Sequence, residues 1–216
     1  MQYEYSDRVG KMKPSIIRAI LKQMSNADLI SFAGGNPSVE AFPAEEICRI
    51  SDELLRNDAA ATLQYSITEG YTPLRVAGEA YLNKHWPVKK QDDDSIVTSC
   101  SQQVMDILAK LLCNPGDVVA CEDPAFLGAL NSFRSFDVKL VGIPLQDGGV
   151  DVAALEAAFA AEPKPRFYYT IPDFQTPTRL TTSAEKRKAV HSRAGKHGVP
   201  LLEDNPPGEP PLSRAE

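Results

Sequence analysis

A chain of 216 residues in which 43% of side chains are hydrophobic and 24% charged is long enough, and ordinary enough in composition, to bury a substantial core as one large domain or two small ones. Its formal charge of −6 argues against a nucleic-acid binder, which presents a basic face, and no apolar run approaches the roughly 20 residues that span a bilayer. The opening MQYEYSDRVGKMKPS has no apolar stretch of the kind that heads a secretory signal, so a cytoplasmic location is expected.

The four cysteines, Cys48, Cys100, Cys113 and Cys121, form no C-x-x-C pair, and the three histidines lack ligand spacing. Neither a zinc site nor a disulfide framework is expected. Prolines are concentrated at 163–165, 172–177 and 206–211; the last run, in NPPGEPPLSRAE, suits neither a regular helix nor a central strand.

In chain order, IIRAILKQM after Pro14 reads as a short helix, and SFAGGNPSVEAFP as a loop punctuated by Gly34, Gly35, Pro37 and Pro43. Ala44–Arg56 reads as a helix with Glu45 and Glu46 in its first turn. Thr72–His85 reads as another, with Leu74, Ala77 and Tyr81 along one face. From Ser95 the pattern changes. The β-rich runs IVTS, DVVAC, VKLVGI, RFYYT and VPLLE alternate with helical stretches at Gln102–Leu112, Phe126–Phe136, Val152–Ala161 and Ser183–His197. Such alternation predicts an α/β fold of three layers, α/β/α, around a mainly parallel sheet. Ligands in such folds sit beyond the carboxyl ends of the strands.

Four segments follow expected strands. Thr98-Ser99-Cys100-Ser101-Gln102-Gln103 opens a helix, where free backbone N–H groups and the helix dipole favour an anion. Ser101 there is either a phosphate donor or a simple helix cap; on this motif alone the cap is the commoner role. Phe126, after Glu122-Asp123-Pro124, is either a flat surface for a planar ligand or core at a helix start. Ile171 to Thr178 is a rigid loop in which the Thr176–Pro177 bond is a candidate for the cis form. Asp204, at the end of VPLLE, is a carboxylate that burial would penalise unless it is paired. Together these are the parts needed to hold a phosphorylated, protonated aromatic ring.

The same residues resemble pyridoxal 5′-phosphate (PLP) aminotransferases of fold type I, class I/II, in particular the 2-aminoadipate and kynurenine aminotransferase group. SFAGGNPSVEAFP resembles that group's substrate-side loop, and LQYSITEGYTPLR its Tyr-x-x-x-x-Gly segment. TSCSQQVMDILAKLLCNPGDVVACEDPAFLGAL resembles its phosphate and ring-stacking region; IPDFQTPTRLTTSAEKRK and LLEDNPPGE follow in the family's order. The resemblance runs from about Ser15 to the last residues.

It implies that residues 44–216 form a partial PLP-binding large domain, incomplete at its C-terminus, and that residues 1–43 serve the small domain and substrate loop. Ser101 and Gln102 would hold the cofactor phosphate, Phe126 would stack on the ring, and Asp204 would pair with the protonated ring nitrogen. Thr176 stands where the family has an asparagine donating to the ring hydroxyl oxygen. Tyr65 would reach the phosphate of a neighbouring subunit in a homodimer. Gly35 and Asn36 would line the substrate side, with Arg18 either facing the substrate's acidic end or lying on a solvated helix. The implied partners are an amino acid and a 2-oxo acid, with neither nucleic acid nor membrane.

Four positions depart from the family. Thr176 has a shorter reach than asparagine, and Pro207 replaces a tyrosine and cannot donate. Arg179 replaces a glycine, and Cys100 replaces a glycine in the phosphate turn. The family's Schiff-base lysine, in a Ser-x-x-Lys motif, is expected past Glu216, so no residue of this sequence is assigned as catalytic. Lys186, Lys188 and Lys196 read as the solvated face of a helix. Two readings follow: part of an aminotransferase that is inactive by itself, which is preferred, or a non-catalytic binding or dimerisation module.

Overall fold

The computed structural model describes residues 3–6, 38–85 (the backbone alone at His85) and 93–206. The helix expected at IIRAILKQM, most of the glycine loop, and Arg18, Gly35, Asn36 and Pro207 lie outside them. The chain divides into two compact units, residues 14–97 and residues 98–216 together with 1–13. No helix among the described residues is long and apolar enough to cross a membrane.

In the first unit a short 3-10 turn at Val39–Ala41 leads into α1 (Ala44–Asn57), α2 (Ala59–Leu63) and α3 (Thr72–His85). Glu45 and Glu46 at the start of α1 and Arg56 at its end complement the helix dipole. Arg49 bridges Glu46 and Glu53 one turn to either side, and its guanidinium holds the Glu46 carboxyl below the ordinary carboxylate range. Asp58 caps α2 by accepting from the Ala61 N–H at 3.3 Å.

One expectation fails here. IVTS is not a strand. Val97 donates to the Glu69 carbonyl at 2.9 Å, and Ser95 joins α3 through its Oγ to Glu79 (2.7 Å) and its carbonyl to Arg75 Nε (2.6 Å). Among the described residues no strand lies beside the run, and Ile96 and Val97 are exposed. β propensity alone does not make a strand without a neighbour to complete its ladder.

The second unit carries the predicted α/β/α layers. Its elements are α4 (Ser101–Leu112), β1 (Val118–Asp123), α5 (Leu127–Arg134), β2 (Lys139–Gln146), β3 (Gly149–Val150), α6 (Val152–Ala160), β4 (Tyr168–Thr170), α7 (Ala184–His197) and β5 (Leu201–Glu203). The sheet order is β3-β2-β1-β4-β5, parallel throughout except for the β2–β3 hairpin. That hairpin was missed. β3 is too short to show a period, although the Asp147-Gly148 pair before it is a hairpin signal.

The central strand β1 is buried from Val118 to Glu122, as a strand covered on both faces must be. Met105, Ala109, Ala129 and Phe133 from α4 and α5 pack with Val119, Cys121, Phe167 and Tyr169 on one face. Leu155, Phe159, Val190 and Ala194 from α6 and α7 pack with Ala120, Ile143 and Tyr168 on the other. Asp151 and Ser183 cap α6 and α7, and Gly198 ends α7 in the left-handed conformation (φ 63°).

Between α6 and α7, Glu156 Oε1 accepts from Lys196 Nζ (2.5 Å) and His197 Nε2 (2.8 Å). These donors pull the Glu156 carboxyl from 4.5 down to about 2. Because the folded value lies below the unfolded one, its contribution is complete above pH 4.5 and is lost as pH falls through about 2. Glu156→Gln should therefore lower the thermal midpoint at pH 6 and lose that deficit at pH 2; an equal deficit at both would disprove the linkage.

Candidate functional site

The chain leaves β1 through α5 toward β2 on one side of the sheet, and leaves β4 through α7 toward β5 on the other. The carboxyl ends of β1 and β4 therefore part, leaving the crevice where α/β sheets bind ligands. Candidate residues from four separate segments gather at this edge.

The start of α4 forms one wall. Cys100, not Ser101, is the N-cap residue and makes no side-chain cap bond, so the cap reading of Ser101 is corrected: its side chain sits at the first helical position and is exposed. Gln103 reaches back to accept from the Ser99 N–H at 2.7 Å, which fixes the turn. The N–H groups of Ser101 and Gln102 have no intrahelical partners, as at any helix start. The Gln102 side chain is committed elsewhere: its Nε2 donates to the Gly128 carbonyl (3.1 Å) and to Ser132 Oγ. It pins α4 to α5 and leaves the backbone N–H for a ligand.

Phe126 is the N-cap residue of α5 and is half-buried. Its ring folds back across Gly128; a Cβ there would come within 2.5 Å of Phe126 Cε1 and Cζ and 3.1 Å of Gln102 Oε1. Only glycine permits that approach, which sets Phe126 beside the opening of α4.

Thr176 is exposed in the loop after β4. The Thr176–Pro177 bond is cis, and Arg179 adopts φ 62°, so the arginine keeps the left-handed backbone usual for glycine. Gln175 organises this loop from beneath, almost wholly buried at 1% exposure. Its Nε2 donates to the Pro124 carbonyl (2.7 Å) and to Glu122 Oε2 (3.1 Å); its Oε1 accepts from Thr178 Oγ1 (2.6 Å) and N–H (3.0 Å). Glu122, also buried, further accepts from Thr170 Oγ1 (2.5 Å) and the Ile171 N–H (3.3 Å). Burial pushes the Glu122 carboxyl above its usual value, only partly opposed by these donors. Arg187 closes the loop's far side, holding the Asp173 carboxylate at 2.6 Å and the carbonyls of Pro172 and Thr182.

Asp204 lies one residue past β5 and is buried. Its N–H donates to the Thr170 carbonyl at 2.9 Å, and its Oδ2 accepts from the Tyr169 hydroxyl at 2.9 Å. Among the described residues no donor reaches Oδ1. Burial raises its carboxyl and the Tyr169 bond lowers it.

Ser101, Gln102, Phe126, Thr176 and Asp204 thus all lie at the same strand edge. Tyr65 belongs to the other unit and is 99% exposed. Lys186 is half-buried rather than solvated and donates to the Gly149 carbonyl at 3.2 Å; Lys196 is held by Glu156. The sequence assigned no role to Glu122, Tyr169 or Gln175. Their partners lie 35 to 53 residues away, beyond any local pattern.

The fold matches known proteins. The chain belongs to the class I and II aminotransferase family, whose sequence profile matches residues 27–204. The aromatic-amino-acid aminotransferase 1 of Thermococcus litoralis is 38% identical over 215 residues, covering 97% of this chain and 52% of that protein. The multiple substrate aminotransferase of Thermococcus profundus superposes with a TM-score of 0.85 at 33% identity, over 93% of this chain and 51% of that one. The α-aminoadipate aminotransferase of Thermus thermophilus, solved with N-(5′-phosphopyridoxyl)-L-leucine, gives 0.79 at 34% identity, over 93% and 49%. The chain spans about half the length of the relatives it matches. PLP is the cofactor of this family.

Proposed function

We propose that this chain supplies the cofactor-holding face of an aminotransferase that moves an amino group from an amino acid to a 2-oxo acid. Asp204 carries this reading: a buried carboxylate, raised by burial, with one oxygen committed to Tyr169 and the other without a donor among the described residues, suits a protonated ring nitrogen. When bound, PLP supplies an electron sink for the carbanion formed from the amino acid. Asp204 holds the proton on the ring nitrogen, and Phe126 gives the ring a flat surface. Thr176 offers a hydroxyl toward the ring oxygen. The N–H groups of Ser101 and Gln102, with the Ser101 hydroxyl, receive the phosphate at the positive end of α4.

The family resemblance and the relatives' names support the finer points of the reading. These are an aromatic or 2-aminoadipate-like amino donor, Gly35, Asn36 and Arg18 on the substrate side, and Tyr65 reaching a neighbouring subunit's phosphate in a homodimer.

Binding of pyridoxal phosphate and of unphosphorylated pyridoxal, followed by fluorescence quenching, tests the assignment. A charge-assisted hydrogen bond contributes about 1.5–3 kcal/mol, so Ser101→Ala should weaken pyridoxal phosphate roughly 10- to 150-fold and leave weak pyridoxal binding nearly unchanged. Equal losses for both ligands would remove Ser101 from the phosphate site. Failure of the unaltered protein to bind pyridoxal phosphate saturably would remove the cofactor reading itself.

A further inference from the structure

Asp204 is held in place by a residue that touches no expected ligand. Tyr169 has no exposed surface and sits in an aromatic cluster, edge-on to Phe133 at 5.5 Å, with Phe133 in turn edge-on to Phe167 at 5.1 Å. In the β4–β5 register Tyr169 pairs with Leu202, and Asp204 follows two residues later, one residue past the end of β5. A phenol, and no shorter side chain, reaches that diagonal neighbour. Its hydroxyl donates to Oδ2 at 2.9 Å while the Asp204 backbone is anchored to Thr170.

Resting on the cofactor reading above, we propose that Tyr169 is a positioning residue: its hydroxyl fixes the Asp204 carboxylate so that Oδ2 is occupied and Oδ1 alone is presented to the ring nitrogen. The direction of the bond is settled by the surroundings. Among the described residues, Asp204, Glu122 and Cys121 are the titratable groups acting on Tyr169, and none of them is cationic. Burial and these neighbours push the phenol above its usual value, so it stays protonated and donates. The same bond is, among the described residues, the one donor that opposes the cost of burying Asp204. A carboxylate without it has two equivalent oxygens, a free torsion, and less tendency to stay ionised.

Phenylalanine fills the aromatic cluster equally well, so Tyr169→Phe removes the hydrogen bond and spares the packing. Two measurements test the proposal. In the cofactor-free protein, the Asp204 carboxyl followed by carbon NMR should titrate at higher pH in Tyr169→Phe. With pyridoxal phosphate, the variant should bind roughly three- to tenfold more weakly and shift the absorption maximum of the bound cofactor. In an Asp204→Asn background the same change should alter affinity less than twofold, because Tyr169 acts only through the carboxylate.

An unshifted titration, or the same loss in both backgrounds, would make Tyr169 a packing residue and overturn the proposal. If the unaltered protein fails to bind pyridoxal phosphate while the Asp204 titration still shifts, the cofactor reading falls and the Tyr169–Asp204 coupling stands as a property of the fold alone.

Discussion

Asp204→Asn should weaken pyridoxal phosphate binding roughly 30- to 4,000-fold, while leaving the stability of the cofactor-free protein unchanged or slightly raised. Breaking a desolvated charge pair costs about 2–5 kcal/mol, and each 1.4 kcal/mol is tenfold in affinity. The asparagine carbonyl still accepts from Tyr169, so no buried hydroxyl is orphaned. What the variant loses is a charge that burial already disfavours in the cofactor-free protein. Opposite movements of affinity and thermal midpoint would mark Asp204 as a residue kept for its ligand at some expense of stability. A parallel loss of both would mean that the carboxylate serves the fold. Asp204→Ala is the less informative change, because it also strands the Tyr169 hydroxyl.

Gln175→Ala should be the most damaging single substitution to the fold near the site, by about 3–5 kcal/mol in urea denaturation. It removes the partner of the Pro124 carbonyl and of two Thr178 donors, strips a donor from buried Glu122, and leaves a cavity under the loop. That is a large part of the roughly 5–15 kcal/mol by which domains are stable. Glu122→Gln should behave differently. Its carbonyl still accepts from Ile171 and Gln175, and its amide donates to Thr170, so it should cost under about 1 kcal/mol at neutral pH.

Glu122→Gln should also flatten the pH profile. The folded Glu122 carboxyl lies above its ordinary 4.5, so the folded protein binds that proton more tightly than the unfolded chain does. Its contribution is complete below pH 4.5 and is lost as pH rises through the folded value. Chemical denaturation of both proteins across pH 4 to 8 checks this. A wild-type curve that stays parallel to that of Glu122→Gln would show that Glu122 does not titrate in the folded protein over this range.

The layers of the second unit were legible because periodicity and strand length report burial, which is a local matter. The expected helices at Gln102–Leu112 and Ser183–His197 differ from α4 and α7 by one residue at the start, where caps decide. IVTS failed because a strand is defined by its neighbour, and β3 was missed because two residues carry no period. The strand-end positions of Phe126 and Asp204 were legible because both follow apolar runs, and Ser101 because it opens a helical one. What stayed hidden was the support beneath them. Glu122 and Gln175 are ordinary polar letters in a strand and a loop, and only folding brings them into contact. Tyr169 reads as one more aromatic in RFYYT until β5 is laid beside it.

Gly128 has a consequence for dimensions rather than chemistry. The Phe126 ring rests directly on the first turn of α5, with no side chain between, so the helix backbone sets how far the ring stands from whatever lies above it. An added methyl group would meet the ring at 2.5 Å, closer than the 3.0 Å below which real Cβ atoms essentially never come, so the ring would have to lift. A flat aromatic guest needs about 3.5 Å of clearance from the face it stacks on. Position 128 therefore gauges the thickness of the slot: any larger residue there would narrow it from below and also press on Gln102 Oε1 at 3.1 Å.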